Sequence, residues 1–378
     1  MSGRCVWKVA PLQDELRKEL AGKLDIPEII AQILINRGVS TVEDAIYFLG
    51  AGLDRLVDPG RMKDMDRALD RVVRAIQQQE KIVIYGDYDV DGITATSLLY
   101  RVLTSLGAKA AYYIPERFGE GYGLNDAALE KLHGDGAQLV ITVDCGISAI
   151  AEVEKARHFY DIIITDHHEP GEMLPNAHSI LNPKRQDCFF PHKQLAGVGV
   201  AFKLCQGLWQ RLDKPTAELY TYLDLVAVGT VADVVPLTGD NRLLVMEGLK
   251  RLNKSPSCGL GALIGVSGLE EKEISTGHIA FALSPRLNAA GRMDRPGEGL
   301  ELLLAEDPAQ AALQAEKLDG INRLRQETES RIMEEAEKVL QENPELPEEP
   351  ILVVAGRSWH QGVIGVVASR LMERYHKP

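Results

Sequence analysis

Lys81-Ile82-Val83-Ile84-Tyr85-Gly86-Asp87-Tyr88-Asp89-Val90-Asp91-Gly92 holds a β-branched run of strand length, a glycine break and three carboxylates within five residues. A helical pattern at 93–106 follows it. The same alternation recurs downstream: a strand at 111–114, a helix at 125–133, a strand at 139–143, a helix at 148–157 and a strand at 162–165. Short apolar strands alternating with helices predict an α/β fold with a mainly parallel sheet covered on both faces.

Upstream, residues 12–50 and 65–79 read as helices, with Asn36-Arg37-Gly38 as a break. Downstream, 197–231 is helical, and 308–341 predicts a long polar helix whose simplest reading is a solvated connector. The stretch 342–350 carries three prolines and reads as a linker. Beyond it, 351–355 predicts a new strand and 363–374 a helix. A unit of that size is too small to close a core, so the sequence reads as truncated.

Composition bounds the function. The 378 residues suggest two or three domains, and 45% hydrophobic with 26% charged residues is ordinary for a globular chain. Lys+Arg 42 against Asp+Glu 55 gives a net charge of −13, which excludes a broadly basic nucleic-acid binder. Residues 301–350 hold 14 acidic and 5 basic side chains, so most of the imbalance is local and a basic groove elsewhere is allowed. Five cysteines, never closer than 17 residues, offer neither a disulfide framework nor a zinc-ribbon spacing. With no signal-like or membrane-spanning segment, the expected compartment is the cytoplasm.

In a parallel sheet, ligands gather at the carboxyl ends of the strands. This sequence puts Asp87, Asp89 and Asp91 after the first strand, Asp144 after the third, and Asp166-His167-His168 after the fourth. A further Asp233 sits in Gly229-Thr230-Val231-Ala232-Asp233-Val234-Val235-Pro236, so the four clusters are expected at strand ends. Crowded carboxylates repel unless a cation sits among them, and oxygen with imidazole donors suits Mn²⁺ or Mg²⁺. The donors suffice for two ions, with Asp144 as the candidate bridge, and such a pair can activate water and clamp a phosphate. The run from Asp87 also matches the start of an EF-hand loop, but its twelfth position is Leu98 where a bidentate Glu is required.

These motifs, in this order, resemble those of the DHH phosphoesterase superfamily. Their wording is similar to the RecJ family of single-stranded-DNA-specific exonucleases. The segments 115–125, 196–203, 285–293 and 359–370 read the same way, and the resemblance spans residues 25–378. It implies Asp89, Asp91, Asp144, His167 and Asp233 as metal ligands, Asp87 as a ligand or close neighbour, Asp144 as the bridge, His168 facing the scissile phosphate, and Asp166 orienting the histidines. Tyr85 stands where some members carry a His.

The resemblance also implies nucleic-acid contacts at Arg117, Tyr122, Arg286, Asn288, Arg292, Ser369 and Arg370. Arginine forks suit phosphates, and Gly362 and Gly365 would allow close backbone approach. Arg286 and Arg292 flank a small-residue stretch with no acid nearby before Asp294, which favours phosphate over a surface ion pair. Tyr122 would stack on a base or pack against its own glycine-rich loop.

The division expected is an N-terminal helical segment 1–75, a DHH catalytic domain 76–238, a helical connector with a phosphate-contacting loop 239–345, and the start of a second α/β (DHHA1) domain at 346–378. The family's closing motif and an OB-like domain would lie beyond this sequence, leaving the chemistry without much of the DNA grip. The implied activity is metal-dependent 5′→3′ hydrolysis of single-stranded DNA to mononucleotides in repair and recombination. Single-strand-binding protein and a RecQ-type helicase are the implied partners, with no membrane. The alternatives are a DHH phosphodiesterase acting on short oligonucleotides or cyclic dinucleotides, and a non-catalytic single-strand-binding scaffold.

Overall fold

The computed structural model describes residues 7–50, 52–116, 119–121, 123–293, 295, 297–343 and 345–378. Among them, five strands form one sheet: β1 (Lys81–Tyr85), β2 (Lys109–Tyr113), β3 (Leu139–Val143), β4 (Asp161–Thr165) and β5 (Ser179–Leu181). The order is β2-β1-β3-β4-β5 and every pairing is parallel. The α/β class with a mainly parallel sheet is therefore as the sequence predicts. Successive pairings place Tyr85 opposite Thr142, Val143 opposite Thr165, and Thr165 opposite Leu181, so these four strands end along one edge. From β1 the chain goes first to one side, then to the other. The β1–β3 gap is thus the switch point at which a crevice opens.

Strand composition explains the layering. Ile82, Ile84, Leu139, Ile141, Val143 and Ile163 point to one face, covered by helices Met65–Gln77, Val90–Ser105 and Gly197–Arg211. Val83, Tyr85, Val140, Ile162 and Ile164 point to the other, under Asp126–Gly134 and Ile150–Ala156. A second core, all helical, joins Leu223–Ala232, Cys258–Val266, Ser284–Arg292, Gly297–Leu304 and the first half of Pro308–Glu342. The N-terminal helices Asp14–Leu24, Glu28–Asn36 and Val42–Gly50 close a small core of their own.

The structure adds one element and corrects three expectations. The strand β5 carries no sequence signal, because three residues are too few to show a period. The helix after β1 begins at Val90, not near Ile93: the Asp89 side chain caps it by accepting the Gly92 N–H at 3.0 Å, so Asp91 lies in its first turn. The acidic helix Pro308–Glu342 is more than a solvated connector, since Ala311, Ala315 and Leu318 enter the helical core while Ile332, Ala336 and Leu340 pack on Val363, Val367 and Leu371. Residues 351–355 form no strand: they pair with no other strand among the described residues, and Val353 lies exposed.

No helix among the described residues is long and apolar enough to cross a membrane.

Candidate metal centre

The carboxyl edge of the sheet gathers the predicted ligands. Asp87, Asp91, Asp144, Asp166 and His167 are buried there, and Asp233 is half-buried. Asp233 does not follow a strand as expected; it ends the Leu223–Ala232 helix, which packs on Val90–Ser105 and so brings it to the same place. Asp144 adopts a left-handed backbone (φ 61°) directly after β3, while its N–H still donates to Thr165 O at 3.0 Å. That conformation is uncommon for a residue other than glycine and turns the chain sharply at the point where the carboxylate must enter the crevice.

The donor atoms fall into three groups, each within 4.8 Å: Asp87, Asp89 and Asp144; Asp91, His167 and Asp233; Asp144, His167 and His168. Asp144 and His167 each belong to two. His167 Nε2 lies 3.1 Å from Asp144 Oδ1 and 3.8 Å from Asp91 Oδ2, and its Nδ1 lies 3.6 Å from Asp233 Oδ2.

This crowding is electrostatically costly. Burial, reinforced by Asp233 and Asp89, pushes the Asp91 carboxyl well above its ordinary range. Burial, then Asp91, Asp89, Asp166 and Asp87, does the same to Asp144. Burial and Asp89 raise Asp233 to about 6. His167 is pushed down to about 4 by burial and by the charge of His168, which favours the neutral imidazole that binds metals. His167 Nδ1 and Asp233 Oδ2 are buried without a hydrogen-bond partner. Buried acceptors left in that state carry a desolvation cost that a cation removes. The residues present therefore fit divalent cations.

The helix Gly197–Arg211 buttresses the centre. Gly197 N–H donates to Asp91 Oδ2 at 2.6 Å, and Val198 N–H donates to Asp91 Oδ1 at 2.8 Å. No role for these two amides is evident from sequence; Gly197-Val198-Gly199 opening a helix was the available signal.

The second half of Asp166-His167-His168 is organised around Asp166. Its Oδ1 accepts the His167 N–H at 2.7 Å and the His168 N–H at 3.0 Å, and lies 2.8 Å from His168 Nδ1. Its Oδ2 accepts the Ile147 N–H at 2.9 Å. Burial opposes the charge, but the His168 bond and these amides hold Asp166 below the ordinary carboxylate value. The Asp166 bond in turn raises His168, whose ring is exposed. Tyr85, in place of a histidine, is buried with its hydroxyl donating to Gly123 O at 3.0 Å and accepting from Asn125 Nδ2 at 3.2 Å.

The expected nucleic-acid contacts are differently placed. Arg286 does have an acid beside it, contrary to the sequence argument: Asp319, distant in sequence, pairs with its Nε at 2.9 Å, while its Nη1 donates to Ala282 O at 2.8 Å. Asn288 Oδ1 accepts the Val90 N–H at 3.2 Å, and a Cβ on Gly291 would lie 2.9 Å from Tyr88 O. The 285–293 segment thus lies directly against the metal-site loop. Arg292 Nη1 approaches Gly362 O at 3.4 Å. Ser369 Oγ donates to Gly365 O at 3.1 Å, and Arg370 pairs with buried Glu329 at 2.7 Å. Arg117 and Tyr122 lie outside the described residues.

Residues 81–230 match the DHH family, N-terminal domain. The single-stranded-DNA-specific exonuclease RecJ of Bacillus subtilis is 42% identical over all of this chain, which spans 47% of that protein. The RecJ of Escherichia coli is 38% identical over 94% of this chain and 63% of its own length. The chain therefore spans about half to two thirds of these curated relatives. Among solved structures, RecJ from Thermus thermophilus in complex with Mn²⁺ superposes with a TM-score of 0.82 at 34% identity, covering 96% of this chain and 51% of that one. An exonuclease RecJ bound to manganese gives 0.75 at 37% identity, covering 84% and 79%.

Proposed function

The chain belongs to the RecJ family of the DHH superfamily, and on that premise we propose that it is a divalent-metal-dependent 5′→3′ exonuclease. On this reading it releases mononucleotides from single-stranded DNA in repair and recombination. The observation that carries the reading is the convergence of six buried or half-buried Asp and His ligands around Asp144 and His167. Asp87, Asp89, Asp91, Asp144, His167 and Asp233 would hold two ions, Mn²⁺ or Mg²⁺. Such ions supply polarisation of a phosphoryl oxygen and acidification of water.

The chain's own residues do the rest. Gly197 and Val198 fix the Asp91 carboxylate, and Asp166 fixes the imidazole of His168 through Nδ1. His168, raised towards its cationic form, then donates a hydrogen bond to the charge that develops on the phosphoryl group. Arg286, Asn288, Arg292, Ser369 and Arg370, with Arg117 and Tyr122, are the proposed strand contacts. Arg286 and Arg370 would have to exchange their carboxylate partners for phosphate. Residues 76–238 would form the catalytic unit and 239–345 the connector, between a helical segment 1–75 and a further unit beginning at 346. Polarity, strand preference, and the partner single-strand-binding protein and RecQ-type helicase rest on the family alone. A cytoplasmic setting accords with the buried free thiols of Cys145, Cys188 and Cys205.

The test is hydrolysis of a single-stranded oligonucleotide labelled at either end, with and without Mn²⁺, by the parent chain and by Asp144→Ala. Metal-dependent mononucleotide release from the 5′ end, lost in the variant, is expected. Cleavage confined to the shortest oligonucleotides or cyclic dinucleotides would replace the reading with the broader DHH phosphodiesterase activity. Mn²⁺-insensitive binding without turnover would make the chain a scaffold.

A further inference from the structure

Asn182, Pro183 and Lys184 follow β5, the strand at the sheet edge beside β4, and so emerge next to Asp166-His167-His168. A closed ring of contacts ties the two loops together. Asn182 Nδ2 donates to His168 O at 2.9 Å, and Asn182 Oδ1 accepts the Lys184 N–H at 2.8 Å. Lys184 Nζ then returns to Glu169 Oε1 at 3.1 Å, on the residue next to His168. Asn182 is fully buried, so this link is part of the fold.

The two ends of the ion pair differ. The Lys184 side chain is 15% exposed, whereas Glu169 is 78% exposed. An ion pair with so exposed a carboxylate is worth little and breaks readily. A half-buried lysine held this close to a carboxylate-rich centre therefore has a weak present partner and a strong potential one. Glu169 and His168 also border a polar pocket of about 320 Å³ with Gly146, Ser148 and Glu152.

We propose that Lys184 is a phosphate-contacting residue of this site, held by Glu169 until a nucleic-acid phosphate displaces that carboxylate. This rests on the exonuclease reading and adds to it a cation from the β5 edge of the sheet, whereas the 285–293 segment meets the loop after β1. Lysine suits the role because it acts as a point charge on a flexible stem and can swing between two oxygen partners.

The inference makes the two members of one ion pair behave oppositely. Lys184→Ala should weaken binding of a short oligothymidylate by about tenfold, the size of one charge-assisted hydrogen bond. It should also flatten the dependence of log affinity on log salt by about 0.7, one phosphate contact on a single strand. Lys184→Arg should restore most of the loss. Glu169→Gln frees the lysine and removes a like charge, so it should tighten binding about twofold. Fluorescence anisotropy in Ca²⁺ measures all four proteins, and Mn²⁺-dependent turnover of the parent is followed alongside.

If Lys184 merely partners Glu169, both single variants break the same pair and shift binding in the same direction with an unchanged salt slope. That outcome overturns the inference while parent turnover leaves the exonuclease reading standing. A parent chain that neither cleaves nor binds single strands overturns the reading, and the inference falls with it.

Discussion

Gly197 stands between the two central carboxylates: its N–H donates to Asp91 Oδ2 at 2.6 Å, and a Cβ built on it would lie 2.6 Å from Asp144 Oδ1. Two buried acids, one in the first turn of the Val90–Ser105 helix and one directly after β3, are thus separated by the width of a backbone. The positive end of the Gly197–Arg211 helix faces both, where partial charge of that sign favours anions. Glycine here allows close approach; its φ is not in the left-handed region.

Gly197→Ala should therefore displace Asp144 without unfolding the chain. Mn²⁺ affinity is expected to fall by about 10–100-fold, as for other changes to groups that orient metal ligands. Turnover should fall with it, while the far-ultraviolet circular dichroism stays unchanged. Gly199→Ala is the control, because its nearest neighbours lie at an ordinary 3.6 Å. Equal Mn²⁺ titrations for parent and Gly197→Ala would show that the close approach at Gly197 is not needed to place Asp144.

Asp144 is held above its ordinary pKa by burial and by four neighbouring carboxylates, so its charge is a liability until a cation arrives. Asp144→Asn should raise the melting temperature of metal-free protein at neutral pH by taking a carboxyl group out from among these four neighbours. Mn²⁺ at about a hundred times its Kd should stabilise the parent by about 2.7 kcal/mol and the variant by far less. Thermal melts in EDTA and in Mn²⁺ make the comparison. A variant that melts lower than the parent in EDTA would mean that repulsion does not dominate the empty site.

His168 has a ring bound to Asp166 and an exposed face, unlike buried His167. His168→Ala should accordingly lower kcat by about 10²–10³, the effect of removing one transition-state donor. Its Mn²⁺ affinity should stay within about threefold of the parent's. Isothermal titration with Mn²⁺, set beside single-turnover cleavage, separates the two effects. A larger loss of metal affinity than of rate would make His168 a ligand, as its grouping with Asp144 and His167 also permits.

The site's legibility followed from its locality. Asp87, Asp89, Asp91, Asp144 and the Asp166-His167-His168 run sit within a few residues of apolar strands whose ends a sequence pattern locates, so both the fold and most of the centre could be read together. Asp233 was recognisable as an acid among apolar neighbours, yet its place at a helix end depended on packing against Val90–Ser105. Lys184 was invisible because β5, which delivers it, is three residues long. The acid beside Arg286 escapes the sequence argument on a different ground: Asp319 comes from the Pro308–Glu342 helix, which packs on Ser284–Arg292 in space, and linear distance to the next acid says nothing about such packing.

Away from the metal centre, Asp240 and Lys203 form a pair in which both side chains are fully buried, with Nζ and Oδ2 2.7 Å apart. Tyr47 donates to Asp240 Oδ1 at 2.6 Å, and His192 Nδ1 lies 3.0 Å from the same oxygen, so the network ties the N-terminal helices to the sheet domain. Burial pushes the Asp240 carboxyl up, but His192, Lys203 and Tyr47 together hold it at about 2, below the ordinary 3.8. A carboxyl with a depressed folded pKa binds its proton more readily when unfolded. Its stabilisation is thus complete above about pH 4 and is lost as pH falls towards 2. Asp240→Asn leaves the Lys203 ammonium buried without a counter-charge, held only by Val57 O and Gln206 Oε1, and should cost about 3 kcal/mol at neutral pH. Urea unfolding at a series of pH values should show the parent converging on the variant between pH 4 and 2. Lys203→Met added to Asp240→Asn should recover part of the loss at pH 7, because it removes the stranded charge. A constant gap between parent and Asp240→Asn down to pH 2 would mean that the network holds the helices by packing and not by this charge.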